Sequence, residues 1–141
     1  MKMEERRKAV QEAIKSGNWM IRTDNKGKSF DNSFRWKPTG EWTEAPDWNP
    51  KPVCGQGLHG QAKEASGYGQ GGSRLLFCET SGKRVIIEGD KIKVKKARIL
   101  LVNDLRLAEG MSFDVSLSFQ TIASEFILPE NMNIRRRLNI I

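Results

Sequence analysis

Apolar positions recur along this chain in two different periods. Ala9, Val10, Ala13 and Ile14 lie on one stripe of an otherwise charged segment, the spacing of an amphipathic helix, and Gly17 with Asn18 supplies its stop. Residues 18–23 (NWMIRT) then read as a short strand, 24–27 as a turn with Gly27 free to take positive φ, and 33–36 as the returning strand. Segments 74–80 (RLLFCET) and 83–88 (KRVIIE) are β-rich, and the Ser81-Gly82 pair between them predicts a hairpin. From 91 to 102 the chain alternates, Ile92 and Val94 and then Ala97, Ile99 and Leu101, and the change of parity between Val94 and Ala97 predicts a bulge or a bend. Residues 112–120 (SFDVSLSFQ) alternate with Phe113, Val115, Leu117 and Phe119 on one face, which predicts a strand. The run 125–128 (EFIL) reads as one more short strand before Pro129, and the tail NMNIRRRLNII as a last strand or a loose end. No regular βα alternation is present, so a doubly wound parallel sheet is not expected. The pattern predicts an α+β fold: a helix over 1–17, as an N-terminal appendage, and a single β-rich domain over 18–141.

Length and charge narrow the classes. The 141 residues suit one domain, and the formal net charge of +7 favours anionic partners. Hydrophobic residues make up only 38%, yet four tryptophans argue against a disordered chain. No apolar run approaches the ~18 residues of a membrane span, and residues 1–8 are charged where a secretory signal would be apolar. A cytoplasmic protein without a membrane partner is therefore expected. Cys54, Cys78 and the single histidine, His59, cannot supply a four-ligand zinc set, so no metal is expected. A Cys54–Cys78 disulfide would be out of place in a reducing compartment.

Between residues 37 and 60 the composition changes. Four prolines and four glycines in 24 positions prevent a long helix or central strand, yet Trp42 and Trp48 fall here. Large rings suit an ordered loop packed on the body, and Trp48 is a candidate for stacking on a ligand. Residues 61–72 follow, with room for one or two helical turns and then a glycine-rich stretch. The densest candidate chemistry is GQGLHG at 55–60. It is neither a phosphate loop nor a dinucleotide fingerprint, but Gly55 and Gly57 let the backbone turn sharply and a ligand approach closely. In an extended segment Leu58 and His59 point to opposite faces. Two readings of His59 stand: a hydrogen-bonded structural residue, or a group that orients a ligand or moves a proton. Residues 83–98 form a third feature, with seven cationic side chains against Glu88 and Asp90. Lys91, Lys93 and Lys95 share one strand parity, with Arg98 beyond, and could meet phosphates of a nucleic acid or an acidic protein partner. The same stripe can equally be a solvated strand face.

Two resemblances add to this reading. The segment FRWKPTGEWTEAPDWNPKPVCGQGLHG, with GDKIKV after it, resembles a family of bacterial and phage proteins that carry A-P-D-W-x-P followed by C-G-x-G-L-H-G. The match runs over about 34–102, departs by a lysine between Trp36 and Pro38, and implies a phage or bacterial setting more than a mechanism. The second resemblance is to the poly(ADP-ribose) polymerase-like ADP-ribosyltransferase fold. GQGLH at 55–59, ASGY at 65–68, LLFCE at 75–79 and EFIL at 125–128 follow the order of that family's motifs. Its opening-strand His or Arg has no clear counterpart, Arg35 or Arg22 being the nearest. The resemblance implies a split sheet and NAD as cofactor. Tyr68 would stack on nicotinamide, His59 would orient its ribose, and Glu125 would act as the catalytic carboxylate. The leading expectation is a small basic binding protein, using the Gly/Trp loop pocket and the basic strand face. The alternative is an NAD-consuming transferase.

Overall fold

The structure, a computed structural model, describes residues 1–24, 34–65, 68–70, 74–104 and 112–126. In chain order the elements are α1 (Met3–Ser16), β1 (Trp19–Asp24), β2 (Trp42–Glu44), β3 (Leu58–Gly60), β4 (Tyr68–Gln70), β5 (Arg74–Ser81), β6 (Val85–Ile87), β7 (Lys91–Val94), β8 (Lys96–Asp104), β9 (Ser112–Asp114) and α2 (Val115–Phe126). The strands form a four-stranded sheet in the order β1-β5-β8-β2, a three-stranded sheet β3-β7-β6 and a two-stranded ladder β4-β9, with every pairing antiparallel. The fold is α+β.

Strand periodicity explains the packing. On β1, Trp19 and Ile21 point to the helices and Met20 to the three-stranded sheet; on β5, Leu75 and Phe77 face the helices while Leu76 and Cys78 face the other sheet. Both faces are covered, so β5 reads as a continuous apolar run without alternation. Between the sheets lie Met20, Leu58, Leu76, Ile92, Val94, Ala97 and Ile99. Against the opposite face α1 buries Ala9, Val10 and Ala13 in the core. Gly17 closes α1 at φ 79°, the left-handed conformation glycine adopts without strain.

Four sequence expectations change here. Residues 112–120 are strand only as far as Asp114, and α2 begins at Val115. The alternation concealed a helical stripe: Phe119, Ile122 and Phe126, at i, i+3 and i+7, pack against the core, with Phe119 stacked on Trp19 at 4.2 Å and 6°. Leu117, placed inside by the alternation, is 61% exposed. Glu125 accordingly sits in the last turn of α2 and not on a strand; residues 127 and 128 lie outside the described residues. The Ser81-Gly82 hairpin is also replaced. β5 pairs with β1 and β8, and the chain crosses at Gly82 to the other sheet, where β6 pairs with β7. The hairpin is β6-β7, turning through Glu88 and Gly89 at φ 53° and 74°, the two positive values of a primed turn. Arg35 occupies a single bridge position where a returning strand was expected.

The parity change after Val94 is a bend at Lys95, where the chain passes from the three-stranded to the four-stranded sheet. A true bulge lies further on. Phe77 pairs with Leu101 and Cys78 with Ile99, so Leu100 is the extra residue, and Leu100 and Leu101 both pack on the helix side. The expected turn at 25–27, the strand start at Ser33, Gly71 and Gly72, and the basic tail with Arg135 lie outside the described residues.

The sheets are joined edge to edge where β1 passes the end of β3. The Ile21 and Gln61 N–H groups each donate to the other's carbonyl at 2.8 Å. This approach needs Gly60, because a β-carbon there would stand 2.9 Å from Met20 Sδ and 3.1 Å from the Ile21 carbonyl oxygen. Arg84 clasps the same corner, donating to both Glu64 carboxylate oxygens, to Thr80 Oγ1 and to the Trp19 carbonyl. Gly60→Ala is expected to lower the urea unfolding free energy by about 1–3 kcal/mol, the usual cost of overpacking. Gly82→Ala, at φ 84° with open space around it, is expected to lose only about 1 kcal/mol, from its backbone conformation alone.

Candidate functional site

Prolines make the loop before β3 what it is. Pro46, Pro50 and Pro52 withhold backbone donors, so residues 45–57 cannot join a sheet and close on themselves instead. Asn49 N–H donates to the Gln56 carbonyl at 3.0 Å, and Lys51 N–H to Asn49 Oδ1 at 3.0 Å. Gly55 and Gln56 turn the chain at φ 86° and 56°, and β3 starts two residues later.

Three side chains from the sheets hold this loop. Lys93, in β7 at the centre of its sheet, is fully buried. Its Nζ donates to the Val53 carbonyl at 3.0 Å and the Gly55 carbonyl at 3.2 Å, and stands 5.8 Å from the centre of the Trp48 ring. A buried ammonium has three donors to satisfy; two go to oxygen and the aromatic face lies within cation–π range. Gly57 fits between Lys93 and Trp48, where a β-carbon would come within 3.1 Å of the lysine and 3.2 Å of the indole. His59 pairs with Lys93 across β3 and β7, and its Nε2 accepts the Gly55 N–H at 3.1 Å. The neutral imidazole therefore carries its proton on Nδ1. Burial first, then Lys91, Arg22 and Lys93, pull the His59 pKa down to about 4, with Asp47 opposing. The third contact is between Lys91 Nζ and Cys54 Sγ, 3.3 Å apart.

These contacts enclose one side of a cavity of about 590 Å³, whose walls include Arg22, Trp36, Asp47, Gly55, His59 and Lys91. Leu58 is buried in the core and His59 is half-buried at the cavity, the alternation expected of an extended segment. Arg22 comes from β1, on the parity of Met20, and reaches the cavity where the gap between the sheets opens. Its Nη1 donates to the His59 carbonyl at 3.2 Å and its guanidinium lies over the Trp36 ring at 4.7 Å. Its Nε is buried with no acceptor.

The expected site residues are thus divided. Gly55, Gly57 and His59 line the cavity, as does Lys91. Trp48 stands behind the loop, packed on the core and on Lys93. Tyr68 opens β4, paired with Asp114; of its side chain nothing is described. Glu125 is exposed and borders a separate groove of about 410 Å³ with Phe77, Leu101, Ile122 and Phe126; that groove shares no lining residue with the His59 cavity. The structure does not bring Glu125 and His59 to one cavity.

The basic stripe is likewise broken up. Lys93 is internal, because the loop covers the β7 face that alternation would leave to solvent. Lys95 is exposed at the bend, 3.6 Å from Glu44, and Arg98 is paired with Glu79 and lies 4.8 Å from the centre of the Trp42 ring. No continuous row of solvated cations runs along β7 and β8. Cys54 and Cys78 are both free thiols, and burial pushes the Cys78 thiol up to about 12. Among the described residues no cluster of His, Cys, Asp or Glu could hold a metal ion, and no helix is long and apolar enough to cross a membrane.

No family model, curated protein or solved structure matches this chain. The two motif resemblances therefore stand on their residues alone, and the cavity has to be read from its own chemistry. Arg22 entered the motif reading only as one of two near counterparts of the transferase opening-strand residue and was not chosen as a site residue. Its signal was its parity, a charge placed where Met20 and Arg22 share the inner face of a strand.

Two outcomes follow from this geometry. Unfolded, His59 takes a proton near its ordinary value of 6.5; folded, only near 4. Between these values the unfolded chain binds the extra proton, so the stability His59 contributes is complete above pH 6.5 and falls away as the pH drops towards 4. The difference in unfolding free energy between the parent and His59→Gln, measured by urea titration over pH 7.5 to 3.5, is expected to shrink across that window. Lys93→Met keeps the length of the side chain but strands the Val53 and Gly55 carbonyls. It is expected to cost about 1–3 kcal/mol and to shift tryptophan fluorescence to longer wavelength as Trp48 gains water.

Proposed function

We propose that this domain is a binding protein that takes a small ligand into the cavity beside His59, without turnover. The observation that carries the reading is the fixed wall. A loop rich in proline and glycine is held by the Lys93 Nζ and the His59 Nε2, with aromatic rings and a few polar groups facing a hollow of about 590 Å³. Ligand sites are concave, mostly apolar and largely preformed, with volumes of roughly 300–1,000 Å³. Binding is favoured over acid–base chemistry by the state of His59. The ring is neutral down to a pH of about 4, and Nε2, the position a general base would use, already accepts the Gly55 N–H. A macromolecular partner on β7 would need Lys93 outside, and it is inside.

A fragment screen read by amide chemical shifts tests this. Hits are expected to move the 55–59 amides together. Ala45 is buried in the cavity wall, and Ala45→Leu is expected to weaken those hits at least tenfold while the rest of the spectrum keeps its dispersion. Hits confined to the groove beside α2, or unaffected by the filled wall, would count against the cavity as the binding site.

A further inference from the structure

We infer that the ligand of this cavity carries an oxyanion, a carboxylate or a phosphate, which docks on the guanidinium of Arg22. The inference rests on reading the cavity as a ligand site and names the chemistry that site selects.

Arg22 is the most unusual group in the wall. Its guanidinium lies over Trp36 at 4.7 Å and is tied at one corner, Nη1 to the His59 carbonyl at 3.2 Å. Nε is buried and has no acceptor. A buried donor without a partner is rare in folded proteins, because it has given up water for nothing. The neighbours that could answer it are engaged elsewhere or too distant. Asp24 is two residues along β1 and meets Arg74 with both carboxylate oxygens, at 2.9 and 2.8 Å. Asp47 lines the same cavity but makes no ion pair with Arg22, and no carboxylate among the described residues does. The half-buried cation is thus fixed in orientation and makes no ion pair, Asp24 acting on its charge only through space. With Nη1 tied to the His59 carbonyl and Nε closed off, Nη2 is the nitrogen left to meet an oxygen of a carboxylate or phosphate. Lys91 adds a second positive charge to the cavity and Asp47 one negative charge, so the lining as a whole favours an anion. His59, neutral and holding its proton on Nδ1, adds no charge. The Phe34 and Trp36 rings in the wall suit a flat or apolar body behind the anionic group.

The test uses three probes of nearly equal size: benzoate, phenyl phosphate and the neutral benzamide. Each is titrated into the ¹⁵N-labelled full chain while the Arg22 Nε–H signal and the 55–59 amides are followed. Benzoate or phenyl phosphate is expected to shift the Arg22 Nε–H saturably, at roughly millimolar affinity, with benzamide at least tenfold weaker; the tighter of the two anions assigns the headgroup. Arg22→Lys keeps the charge but loses the guanidinium that reaches the cavity over Trp36, and is expected to weaken the anions at least tenfold and leave benzamide unchanged. If that variant does not fold, the Nε–H shift of the parent chain decides by itself. Equal affinity for benzamide and benzoate, with the 55–59 amides moving, would overturn the oxyanion and leave the cavity as a ligand site. Silence of both the Nε–H and the 55–59 amides towards all three probes would overturn the two together. Shifts confined to the Lys95 and Lys96 amides would mean attraction of anions to the surface only, and would also overturn the proposal.

Discussion

An ammonium group taken out of water must find acceptors, and Lys93 finds them in the backbone carbonyls of a loop that no sheet ladder claims. The loop is barred from the sheets by Pro46, Pro50 and Pro52, and the Val53 and Gly55 carbonyls would be orphaned without the lysine. Each side solves the other's problem. The same bonds draw Gly57 against the lysine stem and press Trp48 over the ammonium. Once the loop is fixed there, the Gly55 N–H falls beside His59 Nε2 and the cavity acquires a wall. The hollow therefore depends on a charge buried in a three-stranded sheet, and the sequence around that charge is what makes burial tolerable.

The cations of the sheets are graded by their partners. Arg74 and Arg84 each meet a carboxylate with two hydrogen bonds, and the Arg84 contact holds the Glu64 carboxyl below its usual range. Lys93 is matched by carbonyls, and Lys91 by a thiol. Arg22 alone in this group has a ring face and one carbonyl, and its buried position lowers its pKa first of all by desolvation. Burial first, then Lys91, Arg22 and Lys93, keep His59 neutral. The ring next to this guanidinium thus stays uncharged and leaves the positive potential to Arg22 and Lys91.

What could be read from the residues was mainly local. The helical stripe at Ala9, Val10 and Ala13, the strands around 19–23 and 74–80, and the opposed directions of Leu58 and His59 all follow from period and parity, which depend on near neighbours. The misreadings came from features set by distant parts of the chain. Alternation at 113–119 fits a strand as well as a helix over that short run; only the stripe continuing through Ile122 and Phe126, and Trp19 waiting for Phe119, makes it α2. Ser81-Gly82 carries hairpin chemistry, but β5 already has β1 and β8 on its two edges, so the turn had to become a crossing. Lys93 has the parity of an exposed residue, and the loop that covers it lies some forty residues earlier, at the far end of its hydrogen bonds to Val53 and Gly55. The Gly-rich loop was legible as a pocket because glycine marks close approach; Arg22 was legible only as a near match to a family's opening-strand residue, because a single charge in a strand looks like an edge or solvent position until its neighbours are known.

Glycine and lysine do opposite work at this site, and the division bears on how such a cavity can arise in a small domain. Gly57 and Gly60 let backbone come close, one against Lys93 and Trp48, the other against Met20 and the Ile21 carbonyl, and so pull the loop and the two sheets together. That contraction alone would close the interior. Long cationic side chains set its limits. Lys93 fills the space beneath the loop with a side chain whose head must stay at the carbonyls, and Arg22 crosses the gap between β1 and β3 with a rigid plane braced on Trp36. An aliphatic residue at either place could collapse towards its neighbours, as core residues do when space allows. A guanidinium or ammonium cannot, because its polar head is tied to oxygen at a set distance. The cavity persists because the groups around it are held apart by hydrogen bonds as much as they are held together by apolar packing.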